Sequence, residues 1–219
     1  MVANESHQID TIACERGWFH GDKEDECYQT IHMYMNDELS LEVAIEAITK
    51  PTDEICSSAW EPSKESSVER NLWKLHYGIL HTAKKTPWRD TAAHNKLVDL
   101  VRGPKAHPDP HSSEGVAQNF CFSKNIWSNL GMLGPSTREC WNNSPGCGSG
   151  YSVPEIHAWT NINAFVARLT ETELSPFWIY CIWAMRSGLE DEHKLDSYIP
   201  VATVWPSFLG RSCSIDRRT

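Results

Sequence analysis

The sequence predicts an all-α fold, a single-domain bundle of about seven or eight helices. Three observations carry that expectation. Apolar residues recur at periods near 3.6, Ser, Asp and Pro stand where helix N-termini need them, and alternating β-branched runs that would mark strands are scarce. No self-similarity at the period of a repeat array is visible.

Residues 1–22 are polar and irregular and read as a flexible arm ahead of a helical domain over 23–219. A first helix is expected from Asp25 to Met35. Ser40 caps the next, with apolar positions Leu41, Ala44, Ile45 and Ile48, and Pro51 follows its end. A polar connection leads to Val68–Lys84, where Leu72, Leu75, Ile79 and Ala83 make one stripe and Trp73, Tyr77 and Leu80 another, so this helix should be central. Thr86-Pro87 ends it. Asp90 caps Thr91–Val101, and Gly103-Pro104 closes that helix. A long loop near 104–125 follows, then a short helical piece over Ile126–Met132 and another over Thr137–Asn142. The Gly-rich loop 143–150 breaks the chain before three final helices. Pro154 at a first-turn position opens Glu155–Thr170, Ser175-Pro176 opens Phe177–Leu189, and Asp196 opens Ser197–Leu209, with Pro206 kinking its end.

With 40% apolar and 22% charged residues, the 219-residue chain has the make-up of a globular protein with a full core. Twenty basic against 29 acidic side chains leave a formal charge of −9, the wrong sign for a nucleic-acid backbone or an anionic membrane as partner. No basic segment followed by an apolar stretch opens the chain, and no apolar run approaches the ~18 residues that span a bilayer. A cytoplasmic protein is expected. The eight cysteines are widely spaced without a C-x-x-C, which suits free thiols better than a disulfide framework.

Phosphate-cradling G-x-x-x-x-G-K-[ST], dinucleotide-binding G-x-G-x-x-G, H-E-x-x-H and G-x-S-x-G motifs are all missing, so no cofactor is expected. Glu24-Asp25-Glu26 and Glu190-Asp191-Glu192 lack the spacing of a diphosphate-binding, Mg²⁺-holding helix. The string His107-Pro108-Asp109-Pro110-His111 alternates metal-ligand types. A stable site wants more ligands and support than that loop offers, so no metal is expected.

Ten tryptophans, seven of them between Trp73 and Trp183, are the chain's most unusual content. Trp73, Trp141, Trp159 and Trp183 each fall in a helix that also carries polar groups: His76, Arg138 and Glu139, Asn161 and Asn163, and Arg186. An indole buries a large apolar area, and its π face stabilises positive charge. Each polar residue also has a plain structural reading. Ser136 and Glu139 have the spacing of a capping box. Arg186 stands four residues before Glu190 and makes a helix-surface pair, or, if inside, pairs with Glu139. Asn163 on an apolar stripe must find partners, because an unpaired buried amide costs roughly 1–3 kcal/mol. His76 reads as a core histidine.

The segments Asn71-Leu72-Trp73, Ala83-Lys84-Lys85-Thr86-Pro87-Trp88, Lys96–Leu100, Arg138-Glu139-Cys140-Trp141-Asn142, Trp159–Leu169 and Ile182–Arg186 together resemble a fungal family of small helical proteins labelled as a domain of unknown function. The resemblance covers about residues 68–210. The sequence is also similar to the quinolone epoxide rearrangement proteins of fungal secondary metabolism. That likeness implies a cofactor-free Brønsted-acid cyclase or isomerase acting on a small apolar metabolite, a prenyl- or epoxide-bearing intermediate. The Gly-rich insert at 143–150 and Pro206 depart from the pattern. Under this reading Glu139 is the acid, tuned by Arg138 or Arg186, Asn161 and Asn163 orient the substrate, and Trp73, Trp141, Trp159 and Trp183 line the cavity. An adjacent Arg depresses a carboxyl pKa, against an acid's role, which leaves His76, Glu42 or Glu46 as other donors. The competing readings are a non-catalytic helical ligand- or protein-binding module and a cofactor-free pericyclase. A contiguous cavity of roughly 300 Å³ or more holding a carboxyl group favours an enzyme.

Overall fold

The computed structural model describes residues 2–19, 25–58, 63–110, 125–190 and 195–209. Trp60, His111, Cys121 and Cys213 lie outside the described residues, as does most of the expected 104–125 loop. The fold is all-α. Among the described residues nine helices form: α1 (Val2–Glu15), α2 (Glu26–Met35), α3 (Leu41–Ser57), α4 (Ser63–Lys85), α5 (Thr91–Ala106), α6 (Leu133–Trp141), α7 (Val153–Glu171), α8 (Trp178–Glu190) and α9 (Leu195–Leu209). None of them is long and apolar enough to cross a membrane. The chain groups into two compact units. Unit 1 combines Met1–Trp18, Thr82–His94 and Asn142–Thr219; unit 2 combines Phe19–His81 and Asn95–Trp141.

In unit 2, Asp25 caps α2 by accepting from the Cys27 and Tyr28 N–H groups at 3.1 and 3.2 Å. Ser40 caps α3 through the Val43 N–H. The expected stop at Pro51 does not occur, and α3 runs on to Ser57 with Pro51 inside it. Ala44, Ile48, Thr52 and Cys56, four residues apart and all buried, continue one inward stripe through the proline. That packing outweighs the lost backbone bond. Nor do Gly103 and Pro104 close α5. A β-carbon on Gly103 would stand 2.3 Å from Ile45 Cδ1, so the glycine serves close packing against α3 rather than a helix end.

Residues 126–132, expected as a short helix, are a succession of turns in which Leu130 and Met132 take positive φ (49° and 65°). Asp109 fixes their start by accepting from Trp127 N (2.6 Å) and Ser128 Oγ (2.6 Å). Asp53 accepts from Trp127 Nε1 at 2.8 Å and pairs with His107 Nε2 at 2.7 Å. His107 and Asp109 of the metal-like string are thus committed to structure. Among the described residues no three His, Cys, Asp or Glu side chains gather as metal ligands.

Unit 1 is built on α7, of which 14 residues from Glu155 to Thr170 are buried. Val201, Val204 and Trp205 of α9 join its core, and Ile9 and Ala13 of α1 are buried with them. The segment expected as an arm is therefore helical over Val2–Glu15, and α1 packs on α7. Its apolar positions Ile9, Ile12 and Ala13 are too few to stand out from a polar stretch. The Gly-rich turn is held from three directions. Tyr198 Oη donates to Pro145 O (3.2 Å), Trp18 Nε1 donates to Gly148 O (3.0 Å), and the Gly150 N–H donates to Glu155 Oε1 (2.9 Å).

Candidate functional site

The site begins with the turn between α4 and α5. Thr86-Pro87 must end α4, because proline has no N–H to donate and restricts the residue before it. The free backbone groups of the turn are then met by α7. Asn161 accepts from the Trp88 N–H (2.9 Å) through Oδ1 and donates from Nδ2 to Lys84 O (2.9 Å). About two turns further along, Arg168 donates from a terminal nitrogen to Trp88 O (3.3 Å) and Thr91 Oγ1 (3.4 Å). Both ends of the Trp88 peptide are thereby fixed. Asp90 caps α5 through the Ala93 N–H, as its position predicts. His94, one turn in, donates from Nε2 to Thr86 O (3.1 Å). Burial, aided by the Arg168 charge, lowers its pKa to about 4.

This pinned turn forms one wall of a cavity of about 630 Å³ that lies wholly within unit 1. Ile9, Pro87, Ile156, Ile199 and Pro200 give it apolar walls. Its charged groups are Glu5, Lys85, Arg89 and His157. His157 Nδ1 stands 2.5 Å from Glu5 Oε1, a carboxylate–imidazole pair able to hold and pass one proton. Lys85 is paired with Asp10 at 2.7 Å. Arg89 stacks its guanidinium 4.4 Å from the centre of the Trp88 ring.

A second charged group near the start of α7 does a different job. Burial pushes the Glu155 carboxyl up, but the Ser152 hydroxyl, the Gly150 and Ser152 N–H groups and Arg16 outweigh that and hold its pKa below the usual value. Arg16 lies 2.7 Å from it. Glu155 therefore remains a carboxylate that ties the Gly-rich turn and the end of α1 to α7.

Of the ten residues expected to form the site, only Asn161 lines this cavity. Asn163 donates from Nδ2 to Trp159 O and accepts from Trp205 Nε1, both at 2.9 Å. Trp159 is buried and packs T-shaped against Tyr198, with ring centres 6.5 Å apart. Trp183 is exposed, and Arg186, also exposed, pairs with Glu190 at 2.7 Å, the surface alternative. These five belong to unit 1. The other five belong to unit 2. Arg138 and Glu139 are exposed there and Trp141 is half-buried. Because α6 begins at Leu133, Ser136 and Glu139 stand inside the helix rather than forming its capping box. Trp73 stacks on Tyr77 at 5.6 Å. His76 is buried, which lowers its pKa to about 4 against the opposing pull of the Gly131 backbone.

Glu5, Lys85, Arg89 and His157 were not legible as site residues. Glu5 sits in the segment taken for an arm, and His157 lies seven residues past the Gly-rich loop on the exposed side of α7. Only their tertiary neighbours mark them. The Thr86-Pro87-Trp88 and Asn161–Arg168 segments were visible as distinctive strings, and the structure joins them into one device.

No curated protein and no solved structure matches the chain. A family model described as "Protein of unknown function (DUF3632)" matches residues 76–212, which takes in the pinned turn, α7 and most of the cavity wall but not Glu5 or Ile9. That match covers more than half of the 219 residues, and the chain belongs to the DUF3632 family.

Proposed function

We propose that the cavity of unit 1 binds a small, largely apolar metabolite and isomerises it by proton transfer without a cofactor. The carrying observation is the Glu5–His157 pair on the wall of a 630 Å³ apolar-walled space, large enough for such a ligand. The resemblance of the sequence to the fungal quinolone epoxide rearrangement proteins supports an epoxide as the reacting group. In such a step the imidazolium of His157 gives its proton to the epoxide oxygen, and the C–O bond at the more substituted carbon breaks. A 1,2-shift moves the positive charge to the carbon bearing the hydroxyl. Loss of the hydroxyl proton to the imidazole then leaves a carbonyl isomer. Nothing is oxidised or reduced overall, and the proton returns to the pair. Apolar walls favour rearrangement over capture by water.

The test is to incubate the purified chain with the epoxide of prenylbenzene and follow carbonyl formation by NMR. Conversion above buffer that is lost in His157→Gln supports the reading. The non-catalytic binding module is the second reading, favoured by the partial exposure of both Glu5 and His157. Binding of the epoxide without conversion selects it.

A further inference from the structure

We infer that the ligand of this cavity carries an anionic head on its apolar body, and that Arg89 receives that head. The inference rests on the cavity being a ligand site, as proposed above. It follows from which polar groups of the wall are already committed. Asn161 uses both ends of its amide on the 84–88 backbone. Thr160 and Thr203 donate their hydroxyls to Ile156 O and Pro200 O of their own helices. Lys85 is matched by Asp10, and His157 by Glu5. Among the described residues, neither Arg89 nor the Trp88 indole N–H has a hydrogen-bonding partner, and of the two only Arg89 carries a charge. No described carboxylate pairs with it, although the chain holds 29 acidic residues against 20 basic ones.

Its position is also prepared. Arg89 follows Trp88, whose peptide is fixed on both sides by Asn161 and Arg168, and its guanidinium carbon stands over the Trp88 indole, 4.4 Å from the ring centre. A cation held over a ring face by its π electrons spends no N–H donor on that contact, which leaves the guanidinium fork for a two-oxygen acceptor. A carboxylate, sulfonate or phosphate head fits that fork. The body of the ligand then lies against Ile9, Pro87, Ile156, Ile199 and Pro200, which present hydrocarbon and no donors.

Calorimetric titration of the full chain with octanoate, 1-octanol and octyltrimethylammonium separates the contributions. Octanoate should bind about tenfold more tightly than octanol, the ammonium weakest, as a charge-assisted bidentate contact requires. Arg89→Gln should remove that preference and leave octanol binding unchanged. Arg89 is exposed at a turn, so the variant keeps its fold, and an unchanged thermal melt verifies it. Octanol binding as tight as octanoate, tightest binding of the ammonium, or a preference that survives Arg89→Gln overturns the anionic head while leaving the cavity a ligand site. Failure of all three probes to bind overturns both.

Discussion

Helices α7 and α8 follow one another in the chain and treat polarity in opposite ways. Fourteen of the 19 residues of α7 are buried, among them Thr160, Asn161, Asn163, Arg168 and Thr170. In α8 only Tyr180, Ala184 and Gly188 of 13 are buried, while Trp178, Ile179, Ile182, Trp183 and Leu189 stand exposed. Hydropathy alone would assign these helices the other way. What decides is the supply of partners. Each buried amide of α7 meets a backbone or indole group that would otherwise be stranded, so its desolvation is offset at both ends of the bond. On α8 the packing face is narrow because it must be small. A β-carbon on Gly188 would stand 2.6 Å from Ala202 Cβ, and that approach to α9 leaves the larger side chains on the other side.

The sharpest way to break the comparison is at Asn163. Asn163→Ala strands the buried Trp205 N–H and opens a small void, and should destabilise the protein by about 3 kcal/mol in urea denaturation. A loss below about 1 kcal/mol would mean that α7 is held by its apolar residues alone. Acid comes next. His94 packs near Phe165 of α7 and is kept neutral, its pKa lowered from 6.5 to about 4. Between those values the unfolded chain binds the extra proton, so stability is complete above about pH 6.5 and falls as pH falls toward 4. Lowering pH from 7 to 5 should cost about 2 kcal/mol through this residue. Melts recorded over that range check it, and His94→Leu should flatten the slope. Smallest of all, Trp183→Gln on α8 should change stability by no more than about 0.5 kcal/mol despite removing an indole. A large loss there would show that the outer face of α8 is covered in solution.

Local chemistry made much of the fold readable. Ser40, Asp90 and Pro154 mark true helix starts because capping depends on neighbours two or three residues away. Pro51 and Gly103-Pro104 misled for the reason that makes them strong signals elsewhere. Their cost is local, while the stripe through Thr52 and Cys56 and the contact with Ile45 are tertiary. Trp183 reads as a cavity wall in the sequence and stands exposed in the fold, because a helical period cannot say which face turns inward. The site was less legible than the fold. The amide that the apolar stripe singles out is Asn163, which proves structural, while Asn161 is marked only as a polar group of a Trp-bearing helix; Glu5 and His157 are ordinary surface types whose meaning lies in each other, 152 residues apart.

The pinning of Trp88 has a consequence for the order in which this protein can assemble. Its bonds to Asn161 and Arg168 close loops of 73 and 80 residues, and Trp18 reaches Gly148 across 130. Contacts this distant pay chain entropy before they return anything, which slows folding. On the ribosome α1 and the 86–90 turn emerge well before α7, the helix that completes them. Unit 1 is therefore a late folder, and its early segments must wait with apolar surface open until the C-terminal helices arrive.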